Sequence, residues 1–190
     1  MIIGITGTNQ AGKGVCGEYL RQRGFAYFSH SDEIRREAKK RGLDPSDRKV
    51  LQDIGNEMRR KHGNNYWTDL VIKKIRESGA ENAVVDSCRN PGEVERLKKE
   101  DDFVLLAIDA YVQERYKRAI KNGRAPSHFK LNDFIAEEAR ENSSNPNSQQ
   151  LGVLIGIADH VIYNNGNIEE FYGKIEEAIR KLGVILTSKV

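Results

Sequence analysis

Residues 7–14 read GTNQAGKG and directly follow the apolar run MIIGIT at residues 1–6. They meet the pattern G-x-x-x-x-G-K-[ST] at every position but the last. Glycines at that spacing let the backbone wrap an anion with its N–H groups turned inward, and the helix behind them adds its positive N-terminal end. Lys13 supplies a point charge suited to the β- and γ-phosphates of a nucleotide. The setting agrees, because 1–6 reads as a buried strand and 12–23 as a helix. Where Ser or Thr would hold a magnesium ion there is Gly14, and Val15 follows, so neither position carries a hydroxyl.

Outward from this loop, apolar runs alternate with amphipathic ones. FAYF (25–28), NAVVD (82–86), FVLLAID (103–109) and HVIYN (160–164) read as four more strands. A charged helix runs from Ser31 to about Arg41. Asp44 as cap and Pro45 at the first helical position open the next helix, whose Val50, Leu51, Ile54 and Met58 share one face. Further helices are expected from Tyr66 to Glu77, from Pro91, from Val112 to Lys121, over 132–141 with Asn132 or Asp133 as cap, up to Ala158, and from Ile168. The segment ENSSNPNSQQ (141–150) is polar, carries a proline and is expected to be mobile. No repeat and no domain linker is visible.

Strands alternating with helices specify an α/β fold with a parallel sheet, and near-continuous apolar strands specify a sheet covered on both faces. Ligands in such sheets bind at the carboxyl ends of the strands. The residues able to do chemistry fall at those ends: the loop 7–14, the stretch 29–35, the stretch 86–91, Asp109, and the turn at 164–166.

The bulk composition narrows the class without naming a substrate. The chain has 190 residues, 38% hydrophobic and 31% charged, which suits one folded domain rather than a disordered segment. A formal net charge of +3 is too mild to imply nucleic acid. The two cysteines, Cys16 and Cys88, match no metal spacing and read as reduced thiols. Cys88 has no suggested histidine partner and reads as a packed residue. The four histidines have no mutual spacing that points to a metal or a triad. No run approaches the roughly 18 apolar residues of a membrane helix and no secretory signal is visible, so the expected location is cytoplasmic, with no membrane partner.

The order G-K-G resembles adenylate kinase and related nucleoside monophosphate kinases. That resemblance implies ATP binding by Gly7, Thr8, Asn9, Gln10, Ala11, Gly12, Lys13, Gly14 and Val15. With no hydroxyl after Lys13, the magnesium ligand falls to Asp86, with Thr8 second. The stretch SHSDEIR (29–35) is similar to the S-x-G-D-x-[LI]-R segment of these kinases, which implies that Asp32 caps a helix and Arg35 binds the acceptor phosphate. A guanidinium one turn beyond a strand end can grip a phosphate bidentately; Arg35 equally shares a solvated face with Arg36, Lys39 and Lys40. DSCRNP (86–91) looks like their D-G-x-P-R segment with its proline displaced, which implies that Asp86 orients Mg2+ or its water and that Arg89 holds the acceptor.

The basic helix after Asp109 carries Arg115 and Arg118, and its loop carries Arg124. These resemble the lid of small phosphotransferases, with Arg118 and Arg124 as catalytic arginines and Arg140 as a further substrate-binding one. The stretch ADHVIYNNGNIEEF (158–171) is similar to the ending of dephospho-CoA kinases, and implies that backbone groups from Asn164 to Gly166 lie near the adenine. MRRKHG (58–63) and the stretch 86–94 match phrases of a branch standing between adenylate kinases and dephospho-CoA kinases.

The resemblance spans nearly the whole chain. It implies a three-layer P-loop NTPase fold with a five-stranded parallel sheet, a single kinase domain over 1–190, acceptor-binding helices at about 31–78 and a lid at about 118–145. The implied reaction is Mg2+-dependent transfer from ATP to a small phosphate-bearing nucleotide. Three readings compete. Paired Arg35 and Arg89 favour a nucleoside or deoxynucleoside monophosphate kinase. The C-terminal segment favours a dephospho-CoA kinase, although no Asp-x-Asp base follows the second strand. The missing hydroxyl at 14–15 favours a nucleotide-binding switch or assembly factor.

Overall fold

The computed structural model describes residues 1–126, 128–139 and 141–183. Five strands form one parallel sheet in the order β2-β3-β1-β4-β5. They are β1 (Ile2–Gly7), β2 (Ala26–Ser29), β3 (Ala83–Asp86), β4 (Phe103–Asp109) and β5 (His160–Tyr163). β1 is central because it is apolar on both sides: all six of its residues are buried. Pairing aligns the carboxyl ends, with Gly7 beside Ile108, Ser29 beside Asp86 and Asp109 beside Tyr163.

The period-2 alternation of the strands sorts their side chains onto two faces. Ile3, Ile5, Val84, Leu106 and Ile108 pack with Leu20 of α1 (Lys13–Gln22) and with Phe171, Ile175 and Ile179 of α9 (Ile168–Lys181). Ile2, Ala83, Val85 and Leu105 pack on the other face with α4 (Tyr66–Ser78), α5 (Pro91–Leu97) and α8 (Leu151–Gly156). The result is the expected three-layer α/β arrangement.

A satellite core joins α2 (His30–Lys40), α3 (Arg48–His62) and α4 through Ile34, Ala38, Ile54, Met58 and Trp67. These helices fall in the stretch, about 31–78, that the sequence resemblance implies binds the acceptor. Beyond β4 come α6 (Val112–Lys121) and α7 (Leu131–Ala139).

Two local expectations are corrected. The helix expected to start at Asp44-Pro45 starts three residues later: Asp47 is the cap, and its side chain accepts from the amides of Lys49 and Val50. The Asp44 carboxylate is instead used by Ser46, whose amide and hydroxyl both donate to it, so 44–46 forms a turn ahead of the helix. The segment expected to be mobile is tied down at both ends and in the middle. Ser143 N donates to Gln149 O, Gln150 N donates to Arg89 O, and Asn90 Nδ2 donates to the carbonyls of Pro146 and Ser148. These bonds use the backbone of the segment and the Asn90 side chain, which the segment's own composition does not reveal.

Candidate functional site

The loop after β1 takes its shape from two glycines. Gly7 has φ +132°, and a Cβ there would lie 1.9 Å from Ile108 O on the neighbouring strand. Gly12 has φ +113°, and a Cβ there would lie 2.6 Å from Asn164 Nδ2. Gln10 is held at φ 59° without being glycine, a conformation usually kept only where the surroundings enforce it. Gly12 is the N-cap of α1, so the first amides of that helix open toward the loop's concavity. A phosphate fits a cradle of this kind.

Lys13 Nζ donates to the carbonyls of Gly7 and Thr8 at 2.9 and 2.7 Å. Burial, and then the nearby Arg89 guanidinium, push its pKa down to about 8. An anion bound in the loop would relieve both effects.

One cavity of about 920 Å³ opens above the strand ends. The predicted residues Asn9, Gln10, Gly12, Lys13, Gly14 and Val15 line it, and so do Asp32, Arg35, Asp86 and Arg89. Arg118, Arg124, Asn164 and Gly166 complete its wall. Gly7, Thr8 and Ala11 shape the loop from behind and do not line the cavity. Arg140 lies outside the described residues.

The side chains divide by what holds them. Asp86 is buried; its Oδ2 accepts from Tyr27 Oη at 2.6 Å and its Oδ1 from Ser87 N at 2.5 Å. Ser87 has φ 67°, so the chain turns sharply after the carboxylate. Arg35 pairs with Asp32 at 3.0 Å, and both are exposed at the cavity wall. Asp32 therefore acts as an ion-pair partner rather than as the helix cap, which is Ser29.

Arg118 lines the cavity with its guanidinium engaged by backbone carbonyls. Its guanidinium donates to Asn164 O at 2.7 Å and, at longer range, to Gln10 O and Ala11 O. Asn164 Nδ2 also donates to Ala11 O, and Asn164 N donates to Asp109 O. Asn164 thus pins the phosphate loop, and its backbone groups are already committed. Thr8 Oγ1 donates to Asp109 Oδ1 at 2.6 Å, which fixes the direction of its proton and leaves its lone pairs as the part that could meet a metal. Arg124 is exposed at the rim. Cys88 is fully buried, and burial raises its pKa, so it is a packed residue.

The sequence reading missed a second set. Arg48, the first residue of α3, lines the cavity, as do Tyr27, Glu141 and Gln149. Arg48 Nη2 and Arg89 Nη1 both donate to Glu141 Oε1, each at 2.6 Å, and Arg89 Nη1 also donates to Gln149 Oε1 at 3.0 Å. Burial would raise the Glu141 carboxyl, but Arg89 and Arg48 outweigh it and hold its pKa at about 2. Behind Arg89, the Glu93 carboxylate accepts from the amides of Arg89 and Asn90 through Oε2 and from Arg59 through Oε1. Arg59 and Glu93 are 1% and 0% exposed, so this is a buried pair. It gives MRRKHG and the stretch 86–94 a shared physical purpose: they fasten α3 to the loop that carries Arg89.

A magnesium ion would rest mainly on Asp86. No group of three or more His, Cys, Asp or Glu side chains suited to a metal occurs among the described residues. Magnesium can nonetheless use a single carboxylate with waters and phosphate oxygens. A Cβ at Gly14 would meet nothing within 4 Å, so the hydroxyl is missing for want of a side chain rather than for want of space.

Comparison with known proteins places the chain. A UPF0200 protein of Pyrococcus horikoshii is 30% identical over 189 residues, with 96% of this chain and 97% of that protein covered. The chain belongs to the UPF0200 family. The family model described as an AAA domain also matches residues 3–142. A UPF0200/UPF0201 protein of Archaeoglobus fulgidus is 33% identical, and there the match spans 95% of this chain but only 55% of the relative.

Among solved structures, TT1252 from Thermus thermophilus matches with a TM-score of 0.60 at 21% identity, over 99% of this chain and 98% of that one. Shikimate kinase from Bacteroides thetaiotaomicron matches with a TM-score of 0.58 at 13% identity, over 96% and 98%. At such identities the likeness is one of fold. The UPF0200 chain has the P-loop kinase-like fold, and no helix among its described residues is long and apolar enough to cross a membrane.

Proposed function

We propose that this protein is a phosphotransferase that moves the γ-phosphoryl group of ATP to a nucleoside or deoxynucleoside monophosphate. The observation that carries the reading is the shared cavity: Lys13 and the phosphate loop line it together with Arg35, Arg48 and Arg89. A donor site alone would need only the phosphate loop. Three further arginines in the same cavity suit an acceptor that is itself anionic.

ATP would supply the transferable group, and Mg2+ would balance charge on its phosphates. The chain's own residues position and neutralise, which is most of what phosphoryl transfer asks of a protein. Lys13 and the amides at the start of α1 would hold the β- and γ-phosphates. Asp86, fixed by Tyr27 and Ser87, would orient the ion or its water. Arg35 and Arg89 would place the acceptor phosphate. Arg118 would hold the loop against the 164–166 turn on the nucleotide side, and Arg124 at the rim would cover the reacting groups as the lid closes.

The test is ADP formation from ATP and Mg2+ across a panel of ribo- and deoxynucleoside monophosphates. One acceptor should stimulate ADP release by at least about tenfold. Arg35→Ala and Arg89→Ala should raise the KM of that acceptor with little change in the KM of ATP. No stimulation by any acceptor would refute the reading.

A further inference from the structure

Arg48 and Arg89 converge on one oxygen of Glu141. Glu141 is 2% exposed, and it sits in the chain that follows α7, 93 residues away from Arg48 and 52 from Arg89. Two guanidiniums gripping a single oxygen from separate elements, inside the cavity that Lys13 also lines, match what a phosphate oxygen would receive. A carboxylate brings one negative charge to this place, whereas a phosphate monoester brings about 1.5 to 2 near neutral pH.

We infer that Arg48 and Arg89 form the seat for the acceptor's phosphate group, and that the Glu141 carboxylate fills this seat in the ligand-free protein until the acceptor displaces it. The inference rests on the kinase reading for the name "acceptor", while the seat itself rests on geometry alone. Arg48 thereby becomes a binding residue on a par with Arg89.

The exchange needs no refolding. The backbone of the 141–151 segment is held independently of the carboxylate: Glu141 O accepts from Leu151 N, and Gln150 N donates to Arg89 O. A change of the Glu141 side-chain rotamer empties the seat. Arg48 keeps Glu137 of α7 as a second, more distant partner at 3.9 Å, so the lid helix stays near its place when Glu141 leaves. Glu141 is thus an internal competitor. It shields two partly buried cations when no acceptor is present and raises the acceptor concentration needed to fill the site.

Inorganic phosphate and methyl phosphate serve as probes, titrated by calorimetry with and without saturating ADP and Mg2+. Glu141→Gln removes the competitor's charge and should tighten methyl phosphate binding about tenfold relative to wild type. Arg48→Ala should weaken it about tenfold, and the double variant should lose the gain seen in Glu141→Gln. Circular dichroism checks that each variant is folded, and Glu141→Ala stands in if Glu141→Gln is not.

Unchanged or weaker binding in folded Glu141 variants would overturn the inference. Binding abolished by Lys13→Ala but untouched by Arg48→Ala would do the same, since it would place the anion in the phosphate loop. A response to orthophosphate but not to the methyl ester would overturn the acceptor assignment. Absence of ADP binding would count against the kinase reading alone, and the phosphate contrasts would still decide the seat.

Discussion

Lys13 is a residue whose functional placement works against the fold. Its pKa in the folded chain is about 8, below the 10.5 of an unhindered lysine. The charged form is therefore disfavoured on folding, and this penalty is present at neutral pH and eases as pH rises from about 8 toward 10.5. Lys13→Met should abolish measurable ATP binding by calorimetry. The same variant should raise the melting temperature of the ligand-free protein by about 2–4 °C, the equivalent of about 1 kcal/mol for a domain of this size. A lower melting temperature would show that the bonds to Gly7 and Thr8 outweigh the buried charge. Gly14 makes the opposite case: a Cβ there would meet nothing within 4 Å. Gly14→Ser should fold, gain about 0.5–1 kcal/mol from reduced chain entropy in the first turn of α1, and bind ATP with a steeper dependence on Mg2+. Chemical denaturation and titrations at several Mg2+ concentrations check both.

At the scale of elements, the strand ends were readable because they obey local rules. A buried apolar strand, a glycine-rich turn and a helix start are each written in a few consecutive residues, so 7–15, Asp86 and Arg89 could be found without tertiary information. Arg48, Glu141 and Tyr27 could not, because their meaning comes from partners 93, 52 and 59 positions distant. The start of α3 was misread for a different reason. Asp44 and Asp47 can both cap, and Asp44 is used by Ser46 instead.

The phrases MRRKHG and 86–94 were visible in the sequence, but the Arg59–Glu93 pair that joins them was not. Breaking a buried pair by removing one partner costs about 3–5 kcal/mol. Arg59→Met should therefore lower the free energy of urea unfolding by that amount with little change in slope. It should also weaken acceptor binding, because Glu93 orients the amides of Arg89 and Asn90.

Across the whole molecule, α3, the loop after β3 and the chain after α7 meet through Arg48, Arg89 and Glu141, so charge couples parts that the sheet alone does not join. The Glu141 carboxyl is held at about 2, against 4.5 for an ordinary glutamate, by Arg89 and Arg48 overriding burial. A depressed carboxylate contributes stability that is fully present above its unfolded value and lost as pH falls through its folded value. Wild-type stability should thus fall between about pH 4.5 and 2 by up to about 3 kcal/mol from this group, and Glu141→Gln should flatten that part of the acid limb. Equal slopes in the two proteins would mean that the pair is already loose in solution.

The central claim is that one cavity holds both a phosphoryl donor and a phosphate-bearing acceptor. It is tested most directly by following label from [γ-32P]ATP in the presence of Mg2+ and nucleoside monophosphates, with Lys13→Ala alongside. Label should appear in a new nucleoside diphosphate, only when its monophosphate is supplied, and the rate should fall at least about a hundredfold in Lys13→Ala, as expected when a main charge-stabilising group is removed. Label found only in inorganic phosphate, or transferred equally well by Lys13→Ala, would contradict it.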